Sequence, residues 1–249
     1  MKKIINLIKR LSNQNFSLKT DVYPRFKLLF IWELCFLRFL YYFYIKKEFK
    51  YIEETKDVAG YEYSKKSFYD GRFPIYRPND RVLYLYFNLI SNPNLNRENI
   101  LILGPRYENE IFIAKAFGFK NVYALDTFSY SPLVEIGDIH NMDFQDKFFD
   151  VVVCGWTISY SKNPLKAFDE IKRVLKKNGT AIFGLSKVVS EDIIMKSKEK
   201  ISGILTDQQR FQSKEQFDKI FKAYKLVTHF ENFDKVNASQ LLIAYQKID

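Results

Sequence analysis

The sequence predicts an α/β fold: a mostly parallel sheet covered by helices on both faces, with an antiparallel edge and a helical extension in front. Three observations carry this. From Ile100 onward, short apolar runs alternate with segments of helical spacing. The runs at 100–103, 121–125, 149–155 and 181–184 are apolar nearly throughout instead of alternating, as strands buried on both faces are. The last two candidate strands, 226–230 and 240–246, are joined by a short connection, which suits an antiparallel pair at the sheet edge.

At the start of the chain, residues 2–12 (KKIINLIKRLS) put Ile4, Ile5, Leu7, Ile8 and Leu11 on one helical face and Lys2, Lys3, Lys9 and Arg10 mostly opposite. That pattern predicts a short basic amphipathic helix. Residues 12–21 read as a linker. Residues 28–45 (LLFIWELCFLRFLYYFYI) are broken only by Glu33 and Arg38, with Arg25 and Lys27 before them and Lys46, Lys47 and Lys50 after. Three readings of this helix stand. A spanning helix needs roughly 20 apolar residues and is opposed by two charges in mid-span. A helix lying in a membrane surface explains the basic flanks and the aromatic content. A helix buried against the rest of the chain or a second copy explains apolarity all round. Residues 51–81, punctuated by Gly60, Gly71, Pro74 and Pro78, read as an irregular segment able to cover a site. Residues 82–90 (VLYLYFNLI) predict a helix on the sheet, and 91–99 a turn-rich boundary. The chain thus divides into an aromatic-rich basic extension, 1–98, and a second unit, 99–249.

In that second unit a strand at 100–103 leads to a helix at 109–117 that stops at Gly118, a residue suited to a helix C-terminus. A strand at 121–125 ends at Asp126, and 149–155 (FDVVVCG) is the next strand. Residues 164–175 predict a helix with Ala167, Phe168, Ile171 and Val174 on one side. The turn KNGT at 177–180 feeds the strand at 181–184, and a helix at 213–223 precedes the closing strands.

Composition narrows the function. The 249 residues are 47% hydrophobic and 17% aromatic, with a formal charge of +10. Residues 1–60 hold twelve Lys/Arg against six Asp/Glu, so basicity is concentrated there. Such a balance directs attention to anionic partners: phospholipid, nucleic acid or phosphorylated substrates. Cys35 and Cys154 each lie in an apolar run and read as buried free thiols. With two cysteines and two distant histidines, His140 and His229, no zinc site is expected, and no metal site of any other kind is assigned. The run at 4–8 is too short for a secretory leader, so the expected setting is cytoplasmic, peripheral on the inner face of a membrane if the extension lies on lipid.

The loop at 104–108 (GPRYE) follows the first strand, where a doubly wound sheet binds ligands. Gly104 lets backbone approach a ligand without a β-carbon in the way. Asp126 follows 22 positions later at the end of the next strand, the place of an acid that accepts hydrogen bonds from ribose hydroxyls.

A third block makes the pattern specific. Gly137 begins GDIHNMDF, followed by QDKFFDVVVCGW, and later comes KAFDEIKRVLKKNGTAIFG. These segments resemble the class I S-adenosylmethionine-dependent methyltransferases, in particular the type 11-like group, over about residues 100–247. The resemblance implies a Rossmann-like, doubly wound sheet of seven strands with S-adenosylmethionine as cofactor and S-adenosylhomocysteine as product. By position it implies that Gly104 and its loop face the methionine part. Asp126 would bind the ribose. Asp138 with the backbone of Ile139 would address the adenine. Gly155 and Trp156 would lie toward the substrate and the sulfonium.

The sequence departs from the family's pattern. The usual acid two positions before the first glycine is Ile102, and the second and third glycines are Arg106 and Glu108. Arg106 could turn to the cofactor's carboxylate, and Glu108 could hold its ammonium or simply complement the positive end of the next helix. His140 and Tyr160 are the candidate general bases, with a packing or hydrogen-bonding role near the adenine as the other reading of His140. Trp156 could wall the sulfonium or pack in the core.

The first functional reading is methyl transfer from S-adenosylmethionine to a small-molecule, lipid-linked or glycan acceptor, with residues 1–50 offering a membrane-surface or homodimer contact. The alternative is a catalytically inactive binding module of the same fold, motivated by the degenerate glycine loop. A nicotinamide-dependent enzyme fits the GD…FDVV block less well. Nucleic acid is not expected as a partner, because the N-terminal aromatics form apolar runs and not basic platforms.

Overall fold

The computed structural model describes residues 31–53, 80–90, 92, 94–161, 163–187, 213–232 and 239–248. The helix expected at 2–12, the linker at 12–21 and nearly all of the segment at 51–81 lie outside these residues.

The strands are β1 Lys50–Tyr51, β2 Asn99–Leu103, β3 Asn121–Asp126, β4 Phe128–Ser129, β5 Glu135–Ile136, β6 Phe149–Gly155, β7 Leu175–Lys187, β8 Tyr224–Asn232 and β9 Ser239–Lys247. Seven of them form one sheet in the order β5-β3-β2-β6-β7-β9-β8. The first five run parallel. β9 is antiparallel to both β7 and β8, so the closing pair makes the antiparallel edge. The chain leaves β2 toward β3 on one side and returns to β6 on the other. Strand order therefore reverses between β2 and β6, which opens a crevice at their carboxyl ends.

Burial on both faces explains the apolar strands. Ile100, Ile102, Val151, Val153, Ile182, Leu242 and Ala244 point into one core. Their neighbours Leu101, Leu103, Val152, Cys154, Ala181, Phe183, Leu241 and Ile243 point into the other. The first core is closed by α1 Ile31–Phe39, α2 Asp80–Ile90 and α3 Asn109–Ala116, and the second by α4 Pro164–Val174 and α5 Lys214–Ile220. α4 starts as its sequence requires. The Asn163 side chain accepts from the Lys166 N–H at 3.2 Å, Pro164 takes the first turn, and Ala167, Phe168, Ile171 and Val174 are buried.

Two expected boundaries shift. The KNGT turn lies inside β7, which pairs with β6 at Leu175 and again only from Thr180, leaving the residues between them bulged with Asn178 at φ 61°. α5 ends at Ile220 because Tyr224 is already in β8, and its start is fixed by a reciprocal cap between Ser213 and Gln216.

The apolar helix at 28–45 is seen from Ile31. It continues past Phe39 as a π turn, Leu40–Ile45. Ile31, Cys35, Phe39 and Phe43 are its buried face. A four-residue step in an α-helix drifts about 40° around the axis, so a third step would carry Phe43 off that face. The wider π turn reverses the drift and returns Phe43 to the core. Phe39 meets Tyr130 at 5.0 Å and Tyr107 at 6.2 Å between ring centres. The chain then adds β1 antiparallel to β4. The buried reading of this helix thus holds for its inner face. Among the described residues no helix is long and apolar enough to cross a membrane. Both thiols are buried, and burial first of all pushes each of them up to about 12.

Opposite the crevice, Asp150 ties the starts of three strands. It accepts from the Asn99 N–H at 3.0 Å, the Asn96 amide at 2.8 Å and the Lys176 ammonium at 2.9 Å, and it is 6% exposed. Asp150→Ala strands these donors, and we expect it to lower unfolding free energy by about 3 kcal/mol, read as a lower denaturant midpoint at unchanged slope.

Candidate active site

Backbone bonds stitch the corners of the crevice together. The Gly104 N–H donates to Leu125 O at 2.8 Å, joining the loop after β2 to the end of β3. The Gly137 N–H donates to Asp126 O at 2.9 Å, joining the end of β3 to the turn that carries Asp138. The two carboxylates singled out by spacing therefore leave neighbouring corners.

Gly104 has φ 69°, where a side chain is strained. A β-carbon there would also lie 2.1 Å from the hydroxyl of Thr157. Thr157, which follows β6, donates to Leu103 O at 2.9 Å. The glycine is thus needed for the approach of another corner of the protein itself.

Asp126 is 9% exposed. Its carboxylate accepts from the Thr127 N–H at 2.7 Å and, at 3.5 Å, from the Thr127 hydroxyl. Desolvation pushes it up to about 7. The Thr127 and Phe128 N–H groups and the charge of Arg106 oppose that rise without cancelling it. Arg106 is half-buried and acts on Asp126 through its charge.

Asp138 stands half-exposed, with a side-chain exposure of 50%. Its Oδ1 accepts from the His140 N–H at 2.9 Å and lies 2.5 Å from His140 Nδ1. The other ring nitrogen of His140 lies 2.6 Å from Ser161 Oγ. Both imidazole nitrogens are therefore held by the protein, the hydrogen-bonding role that is one reading of His140: the ring clamps the turn after β5 to the segment after β6. Ile139 is buried in the second core. Tyr160, the other candidate base, ends a 3₁₀ turn at Thr157–Tyr160 and is 42% exposed.

Gly155 and Trp156 close the far side. A β-carbon at Gly155 would come within 3.1 Å of Leu85, so α2 lies directly over the end of β6. Trp156 has φ 61°, and its N–H donates to Gly184 O at 2.7 Å. Its ring lies over Gly184, where a β-carbon would sit 3.1 Å from it, and joins the first core as a partly buried group. Of the two expectations for Trp156, packing is the contact found.

Glu108 corrects another expectation. Its side chain is 0% exposed and accepts two bonds from Arg38 of α1, at 2.5 and 2.9 Å. Ser131 donates a third at 2.6 Å. Both oxygens are thus engaged inside the protein and are not turned to a cofactor's ammonium. The Arg38 guanidinium also lies over the rings of Tyr42 and Phe112, 5.0 and 5.7 Å from their centres. Arg38, Thr157 and Ser161 escaped the sequence reading. Arg38 lies 70 positions from its partner, and no local pattern marks the other two.

The comparisons agree with this geometry. Residues 112–183 match the model of the methyltransferase domain family. This is the class I methyltransferase fold. The protein bound to the Trm112 methyltransferase activator of Haloferax volcanii is similar, with a TM-score of 0.52, 15% identity, and coverage of 79% of this chain and 97% of that one. The YcgJ protein of Bacillus subtilis gives 0.51 at 13% identity, covering 67% and 99%. The phosphoethanolamine N-methyltransferase 2 of Haemonchus contortus, in complex with phosphomonomethylethanolamine and S-adenosylhomocysteine, gives 0.51 at 15% identity, covering 69% and 53%. At these identities the likeness is one of methyltransferase fold. No curated protein matches the chain.

Asp126 has a stability consequence. Its value of about 7 in the folded chain lies above the ordinary 3.8, so the folded state binds its proton more tightly than the unfolded state. Stability from this group is fullest at acid pH and declines as pH rises from about 4 to about 7. Asp126→Asn removes the buried charge. We expect it to be more stable than the parent at pH 8, by an amount on the order of a few kcal/mol, and the gap to close toward pH 4, as measured by denaturant unfolding across pH.

Proposed function

We propose that the protein binds S-adenosylmethionine in the crevice between β2, β3, β5 and β6 and transfers a methyl group to an O, N or C nucleophile of a small-molecule, lipid-linked or glycan acceptor. The observation that carries this reading is the pair of carboxylates, Asp126 and Asp138, held at adjacent corners by the Asp126–Gly137 backbone bond. The methyltransferase domain match supports the same reaction.

The donor set suits the cofactor. A carboxylate has about four acceptor positions, and the backbone and the Thr127 hydroxyl leave Asp126 with capacity for a ribose hydroxyl. Hydroxyl donors would also relieve the desolvation of its charge. Asp138 keeps one oxygen beyond the His140 clamp, an acceptor for an exocyclic amino group. Arg106, on the same loop as Gly104, would pair with the cofactor's carboxylate. When bound, the cofactor supplies an electrophilic methyl group on a sulfonium. The protein's part is alignment: it fixes the adenosine end and shapes the approach from the β6 side. Tyr160 and His140, the latter backed by the Asp138 carboxylate, are the candidates to take a proton from an acceptor that carries one.

A second reading, a binding module without catalysis, is favoured by the occupied imidazole of His140 and by Thr157 filling the space beside Gly104. Calorimetric titration with S-adenosylhomocysteine tests the shared premise. We expect a dissociation constant in the micromolar range, about tenfold weaker in Asp138→Ala. No heat and no thermal shift at about 1 mM ligand sink methyl transfer and any cofactor-holding module, and leave only a module that holds a partner protein. Binding with no transfer of labelled methyl to any lipid-linked, glycan or small-molecule acceptor leaves the second reading standing.

A further inference from the structure

The outer face of α1 and its π turn differs from the inner one. Leu34 is 44% exposed, Leu37 63%, Tyr41 44%, Tyr44 46% and Ile45 72%. Leu34, Leu37, Tyr41 and Ile45 point away from the core, and Tyr44 borders it, edge-on to Phe39 at 5.7 Å and to Phe43 at 5.1 Å between ring centres. Exposed apolar residues scattered singly carry no message, but four on one helix face, with Tyr44 at its border, form a patch. The helix cannot roll to hide it. Its inner face is fixed by the two bonds from Arg38 to the fully buried Glu108 and by the contacts of Phe39 with Tyr107 and Tyr130.

Charge identifies the occupant. Lys46, Lys47 and Lys50 stand exposed where the helix ends. The thirty residues before Ile31 hold seven Lys/Arg against a single acid, Asp21. Opposing charges on the element are few: Glu33 is exposed near its start, and Glu48 lies 3.6 Å from Lys46. Apolar side chains beside a collar of lysines fit the headgroup region of an anionic bilayer. There the aliphatic and aromatic groups enter the acyl boundary while the ammonium groups meet phosphate. A nucleic acid would use the lysines but leave Leu37 and Ile45 without a partner.

We propose that the outer face of residues 34–50 docks the protein on an anionic phospholipid surface, with the helix lying in the membrane plane and the sheet domain held above it. This goes beyond the methyl-transfer reading and does not depend on it.

The test is co-sedimentation of the full chain with vesicles of phosphatidylcholine alone or with about a third phosphatidylglycerol, at low and high salt, beside sedimentation velocity without lipid. We expect binding only to the anionic vesicles, weakened by salt. Lys47→Gln and Lys50→Gln should each lower the partition about fivefold. Leu37→Glu with Ile45→Glu should lower it at least tenfold, with circular dichroism unchanged because both side chains face outward. Leu37→Ala with Ile45→Ala serves if the glutamates perturb folding. Three results overturn the proposal: no binding to anionic vesicles at low salt; binding unaffected by the 37 and 45 variants, which places the contact elsewhere; or a stable dimer that these variants dissociate, which makes a second copy the occupant.

Discussion

A carboxylate wholly removed from water cannot remain charged alone, and Glu108 is such a carboxylate. It sits in the loop that shapes the crevice. Arg38 answers it with two parallel bonds and Ser131 with a third, so the loop, the helix before α2 and the turn after β4 are held by one group. Once Arg38 is fixed, α1 is fixed, and with it the aromatic contacts around Phe39 and Tyr130. The chain running on from the helix then reaches β4 and adds β1 beside it, with the Ile52 N–H donating to Thr127 O at 2.9 Å. The two corners that bear Glu108 and Asp126 are therefore braced from the same segment. A buried ion pair of this kind adds little net stability, since desolvation offsets much of the attraction. Its effect is positional.

The sheet was legible because its signal is local. Apolar runs, the glycine stop at Gly118 and the Asn163-Pro164 helix start are each written within a few residues. The spacing from Gly104 to Asp126 could be read for the same reason, since one strand–helix–strand unit has a nearly fixed length. What could not be read depends on separation. Nothing near Glu108 announces Arg38, and a missing glycine looks the same whether its replacement contacts a ligand or a distant helix. For His140 a hydrogen-bonding role could be read from residue type and place, but its two partners, two and 21 positions away, are set by how the turns after β5 and β6 meet. The bulge in β7 shows the reverse case: KNGT reads as a turn leading into a strand at 181, although the strand already begins at Leu175.

The crevice joins fixed and adjustable parts. Gly104, Thr157, Leu103 and Leu125 lock three corners by a backbone bond, a hydroxyl bond and a close approach that leaves no room for a methyl group. Asp126 is embedded where its charge is costly, which is common at sites arranged for a ligand more than for stability. Asp138, by contrast, is half in solvent, its carboxylate steadied by His140 and its carbonyl by the Asn141 N–H at 3.0 Å.

The pairing of β1 with β4 bears on where this molecule can be divided. Composition marks a border near residue 98, and the methyltransferase match begins only at 112. Yet the first core is shared across that border, with Cys35 and Phe39 packed among the same groups as Ile100 and Tyr107. Severing the chain there would bare Tyr130 and Phe128 to water and leave Glu108 with no counter-charge. The unit of inheritance and the unit of cohesion are thus different lengths of one polypeptide, and a transplant guided by the first would carry away an unfinished molecule.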